Sequence, residues 1–141
     1  MLRWRNFIKY LVRRDPTGGS RVKRDLELIR KIVLQVEGIP TGYVKDELDV
    51  EGYSPEQIGY HSYLVIDAGL AKGVDVTTYG CTSPNWRILH LTSAGHDFAD
   101  TARDEGFWRK ATGLARDKAG TVTLDMMKQI LISLIKHALD L

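Results

Sequence analysis

The sequence has little of what marks secreted, membrane-spanning or disulfide-stabilised proteins. Its 141 residues include a single cysteine, Cys81, so an internal disulfide framework is excluded and a reducing compartment is indicated. No apolar run approaches the roughly 20 residues that are needed to cross a bilayer, and no signal-peptide pattern is present. These absences predict a cytoplasmic protein.

Motifs of catalysis and metal binding are also missing. No Cys-x-x-Cys or His-Glu-x-x-His pattern occurs, and Gly18-Gly19 belongs to no strand–loop–helix phosphate site. His96 and Asp100 are spaced four apart, as two ligands on one helix face could be, but neither belongs to a known metal-binding pattern. His61 lies among apolar residues, where a hydrogen-bonded core histidine is commoner than a metal ligand. We therefore predict no enzyme activity, no catalytic residue, no metal site and no cofactor.

Charge separates the first 21 residues from the rest of the chain. Residues 1–21 carry six basic side chains and one acidic side chain, whereas residues 22–141 carry 14 basic and 17 acidic ones. Trp4, Phe7, Ile8 and Leu11 have helical spacing with basic residues between them, and the turn-forming residues 15–20 follow. The sequence thus predicts a basic N-terminal arm, or linker, ahead of a mildly acidic domain.

Apolar spacing predicts four helices and a β-hairpin in residues 22–141. The helices are expected at 22–37, 54–70, 93–110 and 123–141, the paired strands at 72–79 and 86–91, and a further strand within 43–50. Ser54, Pro55 and Gln57 form a capping signature at the second helix, and Gly69 suits its left-handed end. Gly113 and Gly120 are expected to bracket a polar connection.

The last helix has two apolar stripes. Met127, Leu131 and Leu134 belong to a stripe with alternating spacings of three and four, and Ile132, Ile135 and Leu139 form a second one. A helix that is apolar on two sides has to bury both of them. We predict that one stripe packs on the domain and that the other forms a homodimer.

Three separated motifs resemble an uncharacterised family of small bacterial and phage proteins that share a domain of unknown function. They are K-R-D-x-x-L-I-R-K-I at residues 23–32, G-Y-S-x-E-Q-I-x-Y-H at 52–61 with L-x-x-x-A-G-L at 64–70, and L-T-x-x-G-H-D-F-x-D-x-x-R-D at 91–104 with a nearby Trp108. The resemblance covers residues 22–141. It implies a winged-helix-like fold and a phage or prophage setting, and it implies no activity.

The fold expected is therefore α+β, in three parts. Residues 1–21 are the basic arm, residues 22–120 are a winged-helix-like domain, and residues 121–141 are the C-terminal amphipathic helix. Members of the family usually begin at the residue matching Val22, and codons for Thr-Gly-Gly can contain a ribosome-binding sequence. This supports the hypothesis that residues 1–21 come from a start assigned too early.

Two functions stay open. The first is a weak DNA-binding regulator of winged-helix type, and the alternative is a module that binds a host or defence protein without nucleic acid. The proposed nucleic-acid contacts are Arg24, Arg30, Lys31, Gln57, Tyr60, Lys72 and Arg87, and Glu56, Ser62 and Tyr63 are also available to meet bases. The residues expected to be structural are His61, Thr92, Gly95, His96, Asp97, Phe98 and Trp108.

Overall fold

The computed structural model describes residues 23–119 and 122–140, which form an α+β fold of five helices and a two-stranded antiparallel sheet. The elements are α1 (Leu26–Glu37), α2 (Pro55–Asp67), β1 (Ala71–Asp75), β2 (Trp86–Leu91), α3 (Ser93–Ala102), α4 (Glu105–Ala119) and α5 (Leu124–Ala138). The predicted arm, residues 1–21, lies outside the described residues. Within them, no helix combines the length and the apolar character that crossing a membrane requires.

Helix α1 begins later than the predicted residue 22, because Asp25 caps it. The Asp25 carboxylate accepts the main-chain N–H groups of Glu27 and Leu28, which the helix itself cannot satisfy. The apolar residues that predict this helix do face the core: Leu28, Ile29, Ile32, Val33 and Val36 are buried, and Leu26 is partly buried.

Helix α2 has the predicted capping box. The Ser54 hydroxyl accepts the Gln57 N–H, the Gln57 side chain accepts the Ser54 N–H, and Pro55 occupies the first turn. The helix ends at Asp67, and Gly69 then adopts the expected positive φ of 79°. Leu70 follows as a buried core residue.

The sheet contains only the hairpin strands, and the strand predicted within residues 43–50 is wrong for the described chain. In that segment a single main-chain bond reaches the sheet, from the Val44 N–H to the Leu89 carbonyl at 2.8 Å. Strand β2 is as predicted, while β1 stops at Asp75. Beyond Asp75 the Val76 N–H still donates to the Asn85 carbonyl at 2.9 Å, and the Thr77 hydroxyl adds two bonds to the Asn85 main chain.

The single helix predicted at 93–110 is wrong, because the chain breaks at Arg103 and Asp104 into α3 and α4. The Asp104 carboxylate accepts the Phe107 N–H at 2.9 Å, and the Asp104 carbonyl accepts the Trp108 N–H. Asp104 therefore starts a new helix in the way that a capping residue does. Gly113 lies inside α4 and not in the predicted polar connection.

Phe98 and Trp108 consequently lie on different helices, but both are buried in the core. Their rings meet edge to face, with centroids 6.4 Å apart. Helix α5 adds Met127 and Leu131 to the same core, while its second stripe faces outward, with Ile132 43% and Leu139 63% exposed. The core thus joins all five helices beneath the hairpin.

Candidate functional site

The seven residues proposed for nucleic-acid contacts do not share one surface. Arg30 is the clearest departure, since it is only 9% exposed. Its guanidinium donates to the Ala102 and Arg103 carbonyls, pairs with Glu27 and lies over the Trp108 ring. Because its guanidinium is occupied by these internal partners, Arg30 does not contact a phosphate and is not part of a nucleic-acid-binding surface.

The other cations of the predicted set are exposed but dispersed. Arg24 donates to the Val122 carbonyl at 3.3 Å, beside a cavity that Gln57 also lines. Lys31 lies with its ammonium 5.7 Å from the centroid of the Tyr53 ring. Lys31 therefore belongs to α1 itself, and Arg24 immediately precedes Asp25, which caps that helix.

The two hairpin cations lie on β1 and β2. Arg87 is paired with Val74 in the ladder and reaches out to the Lys45 carbonyl at 3.2 Å. Neighbouring strand residues alternate in direction, so Arg87 faces away from the side on which Trp86 contacts α2. Lys72 is exposed on β1, just before the irregularity in the ladder.

One continuous feature does emerge on α2, and we call it the tyrosine stripe: Glu56, Tyr60, Tyr63 and Asp67. Spacings of four, three and four residues place these side chains on one helix face. The Tyr60 and Tyr63 rings lie 6.0 Å apart, and the Tyr63 ring lies 5.8 Å from Trp86 of β2. The three rings are partly exposed and form an aromatic ridge between two carboxylates.

Hydrogen bonds between α2 and the hairpin loop hold the stripe in place. The Glu56 carboxylate accepts the Thr82 hydroxyl at 2.6 Å and the Ser83 hydroxyl at 3.3 Å. The Ser62 hydroxyl, by contrast, is buried and donates to the Ile58 carbonyl, so Ser62 is not available to meet a ligand. The stripe and the hairpin loop therefore behave as one surface.

The chain around the stripe is acidic. Residues 43–91 hold seven carboxylate side chains against three cations, a net charge of −4. The carboxylates are Asp46, Glu47, Asp49, Glu51, Glu56, Asp67 and Asp75, and all seven residues are exposed. Helix α2 itself has no Lys or Arg. Together these charges make the surface around α2 attractive to cationic groups.

His61 joins α2 to the residue that caps α1, as a histidine with a structural role would do. It is 1% exposed, its Nε2 accepts the Asp25 N–H at 2.8 Å, and its Nδ1 lies 2.8 Å from the Gln57 carbonyl. These partners require the neutral tautomer with the proton on Nδ1. Burial lowers the pKa of His61, against the smaller raising effects of the Gln57 carbonyl and the Asp25 carboxylate.

Thr92 and Gly95 connect the end of α2 to the start of α3. The Thr92 hydroxyl donates to the Gly69 carbonyl at 2.6 Å and accepts the Gly95 N–H, so it caps α3. Gly95 lies so close to Leu70 that an added Cβ would be 1.9 Å from the Leu70 carbonyl oxygen. His96 and Asp97 are exposed, and their side chains make no hydrogen bond with the described residues.

Groups that could carry out chemistry are sparse in the described residues. No three His, Cys, Asp or Glu side chains among them come together in a group that could hold a metal ion. Cys81 lies in the hairpin loop, where hydrogen bonds from Thr78 lower the pKa of its thiol. Its neighbours there include no histidine that could act as a base.

Comparison with known proteins identifies the family. The family described as hypothetical protein (DUF2513) matches residues 23–121, so the chain belongs to it. An uncharacterised protein of Haemophilus influenzae is 28% identical over 126 residues, which cover 84% of this chain and 99% of that protein. No solved structure matches the chain.

Proposed function

We propose that this member of the hypothetical protein (DUF2513) family is a non-enzymatic module that binds a partner protein through the tyrosine stripe. The observation that carries the proposal is the make-up of that stripe, two adjoining tyrosines between two carboxylates on a helix without cations. Tyr and Trp are enriched among the residues that dominate protein interfaces, because they bury a large area with few rotatable bonds. Trp86 extends the ridge onto the hairpin.

Electrostatics favours a cationic partner. Asp67 and Glu56 stand at the two ends of the ridge, and the surrounding residues 43–91 carry a net charge of −4. An arginine or lysine side chain of the partner would gain an ion pair with a carboxylate and a cation–π contact with a tyrosine ring. The partner is therefore a protein that presents arginine or lysine beside apolar groups. In the phage or prophage setting proposed for the family, that partner is a host protein.

Duplex DNA is the second candidate, and the order of the elements favours it. A helix, an extended segment, a second helix and a hairpin follow one another, and the Val44 N–H bonds to β2 on the edge opposite β1. Winged-helix domains have a similar order of elements, and in such an arrangement α2 would enter the major groove. Lys72 and Arg87 would then contact phosphates, but DNA binding draws most of its affinity from cations and α2 has none.

Selection of binding peptides distinguishes the two candidates. A library of phage-displayed random peptides is selected on the immobilised full-length chain, and a synthetic peptide from the selection is titrated against variants. We expect peptides with arginine or lysine beside an aromatic residue, and about tenfold or greater loss of affinity in Tyr63→Ala. Lys110→Ala, an exposed change on α4, is the matched control.

A mobility shift of random-sequence duplex DNA at low salt completes the test. We expect no shift that depends on α2 or the hairpin, because the proposal gives this surface no contact with DNA. A shift that is weakened in the double variant Lys72→Gln and Arg87→Gln, together with selected peptides that bind Tyr63→Ala as well as the unchanged protein, would refute the protein-binding proposal in favour of DNA.

A homodimer through α5 is the assembly that we propose for this module. Ile132, Ile135 and Leu139 lie three and four residues apart, so they form one stripe on the helix. Ile132 and Leu139 are well exposed on it. An apolar stripe of this kind pairs with its own copy about a two-fold axis, because the same patch then serves on both sides.

A further inference from the structure

A cavity of about 460 Å³ opens at the opposite end of α2 from Asp67, between the residues leading into α1, helix α4 and the start of α5. Its volume lies in the range of small-molecule sites. Trp108, which is 4% exposed, forms part of its wall, and Gln57 of α2 contributes an amide. No residue of the tyrosine stripe lines the cavity, so ligand binding there is independent of the function proposed above.

The carboxylates at this cavity are already engaged. Asp25 accepts two main-chain N–H groups of α1 through Oδ1 and the Tyr53 hydroxyl, at 3.0 Å, through Oδ2. Glu27 pairs with Arg30 at 3.2 Å and accepts the indole N–H of Trp108. The charge of Glu27 is thus offset by Arg30, while Asp25, which bonds only neutral donors, is the one lining carboxylate whose charge counts against the cations of the cavity.

Three cations line the cavity, namely Lys23, Arg24 and Arg116. Within the described part of the chain none of them forms an ion pair with a carboxylate, and Arg24 makes one 3.3 Å bond to the Val122 carbonyl. Cations that surround one concave space raise its potential, and a bound anion relieves their mutual repulsion. The cavity is therefore suited to an anion of small-molecule size.

The donor set favours a phosphate over a single carboxylate. Two guanidinium groups offer planar pairs of N–H donors, which match the oxygens of a phosphate, and Lys23 adds an ammonium. Gln57 uses its side-chain oxygen for the Ser54 N–H, which leaves its amide N–H groups available as donors. We propose that this cavity binds a small phosphorylated molecule, with its phosphate groups between Arg24 and Arg116 and its remaining part against Trp108.

Calorimetric titration of the full-length chain with inorganic pyrophosphate tests the proposal, at constant ionic strength set with chloride. We expect saturable binding, and about tenfold weaker binding in Arg24→Gln and in Arg116→Gln, the effect of losing one charge-assisted hydrogen bond. Arg109→Gln is the control. Arg109 lies on α4, as Arg116 does, but it pairs with Glu105 at 2.7 Å and does not line the cavity. All three changes are at exposed residues, and melting curves without ligand check that they leave the fold intact.

The indole N–H resonance of Trp108 supplies a second readout, and it should shift on addition of pyrophosphate. Absence of saturable heat and of a shift at millimolar pyrophosphate would overturn the proposal, as would equal affinities in all four proteins. Short duplex DNA is the comparison ligand. Binding of the duplex that depends on Arg24 and Arg116, without any response to pyrophosphate, would also overturn it, because the arginines would then belong to a nucleic-acid surface.

Discussion

The Arg30 Nε–H donates to the main-chain carbonyl of Ala102 at 2.7 Å, and this bond joins α1 to the last residue of α3. Nη2 of the same guanidinium donates to the Arg103 carbonyl at 3.3 Å. In a continuous helix these two carbonyls would accept N–H groups four residues further along the chain. Arg30 satisfies them instead, and the chain is free to turn between α3 and α4.

Replacing Arg30 should therefore destabilise the fold as the loss of a core residue does. Arg30→Met keeps an aliphatic stem but leaves the Ala102 carbonyl without its donor, at a cost of about 1–3 kcal/mol. Lys31→Met removes the neighbouring exposed cation, whose contact with Tyr53 is worth only about 0.5–1 kcal/mol. Denaturant unfolding of the two variants measures the difference. Equal losses would mean that the Arg30 bonds to α3 contribute little.

Two glycines should respond to alanine in opposite directions. A Cβ at Gly95 would lie 1.9 Å from the Leu70 carbonyl oxygen, so Gly95→Ala should push α3 from the end of α2 and cost about 1–3 kcal/mol. Gly113 lies inside α4 with nothing within 4 Å of the same position, and Gly113→Ala should stabilise by about 0.5–1 kcal/mol. Thermal melts of both variants check this pair. A stabilising Gly95→Ala would contradict the close approach of α3 and Leu70.

Stability should fall as the solution is acidified through the range in which free histidine titrates. The pKa of His61 is lowered from its ordinary value of 6.5, so below that pH the unfolded chain takes up a proton that the folded chain refuses. The stability that neutral His61 contributes is complete above pH 6.5. It is lost progressively as the pH falls towards the lowered pKa of His61 in the folded chain. Protonation of His61 Nε2 would also break its hydrogen bond with the Asp25 N–H, because two N–H donors would then face each other.

Unfolding free energies measured from about pH 7.5 down to about pH 5 test this dependence, over the window in which histidine titrates. His61→Gln should be less stable at the upper end and nearly independent of pH across the window. His96→Gln, at an exposed histidine, should keep the slope of the unchanged protein. A slope that survives in His61→Gln would assign the titration to another group.

The sequence predicts best what depends on local signals. The capping box of α2, the left-handed Gly69 and the span of β2 follow from neighbouring residues, and the structure confirms each of them. The break at Asp104 was also readable, because an aspartate three residues before Phe107 is a capping signal. The apolar spacing across the break obscured it, since Phe98 and Trp108 fit one helical period nearly as well as two helices.

What the sequence could not supply are the contacts between distant segments. Nothing near Arg30 indicates that it will meet a carbonyl 72 residues away, so it reads as a surface cation on the polar side of α1. The tyrosine stripe is visible in the spacing of Tyr60 and Tyr63, yet its extension depends on the hairpin that brings Trp86 beside Tyr63. The cavity likewise gathers Arg24 and Arg116, which the linear order keeps far apart.

The outward stripe of α5 decides which residues can test the proposed homodimer. Leu131 is 0% exposed within its own domain, so Leu131→Asp would unfold the monomer and say nothing about assembly. The double variant Ile132→Lys and Leu139→Lys changes only exposed positions and places like charges where two copies would meet. Light scattering should give a dimer mass for the unchanged chain and a monomer mass for the double variant. Ser133→Lys, an exposed change off the stripe, should remain dimeric, and a monomer mass for the unchanged chain at high concentration would refute the dimer.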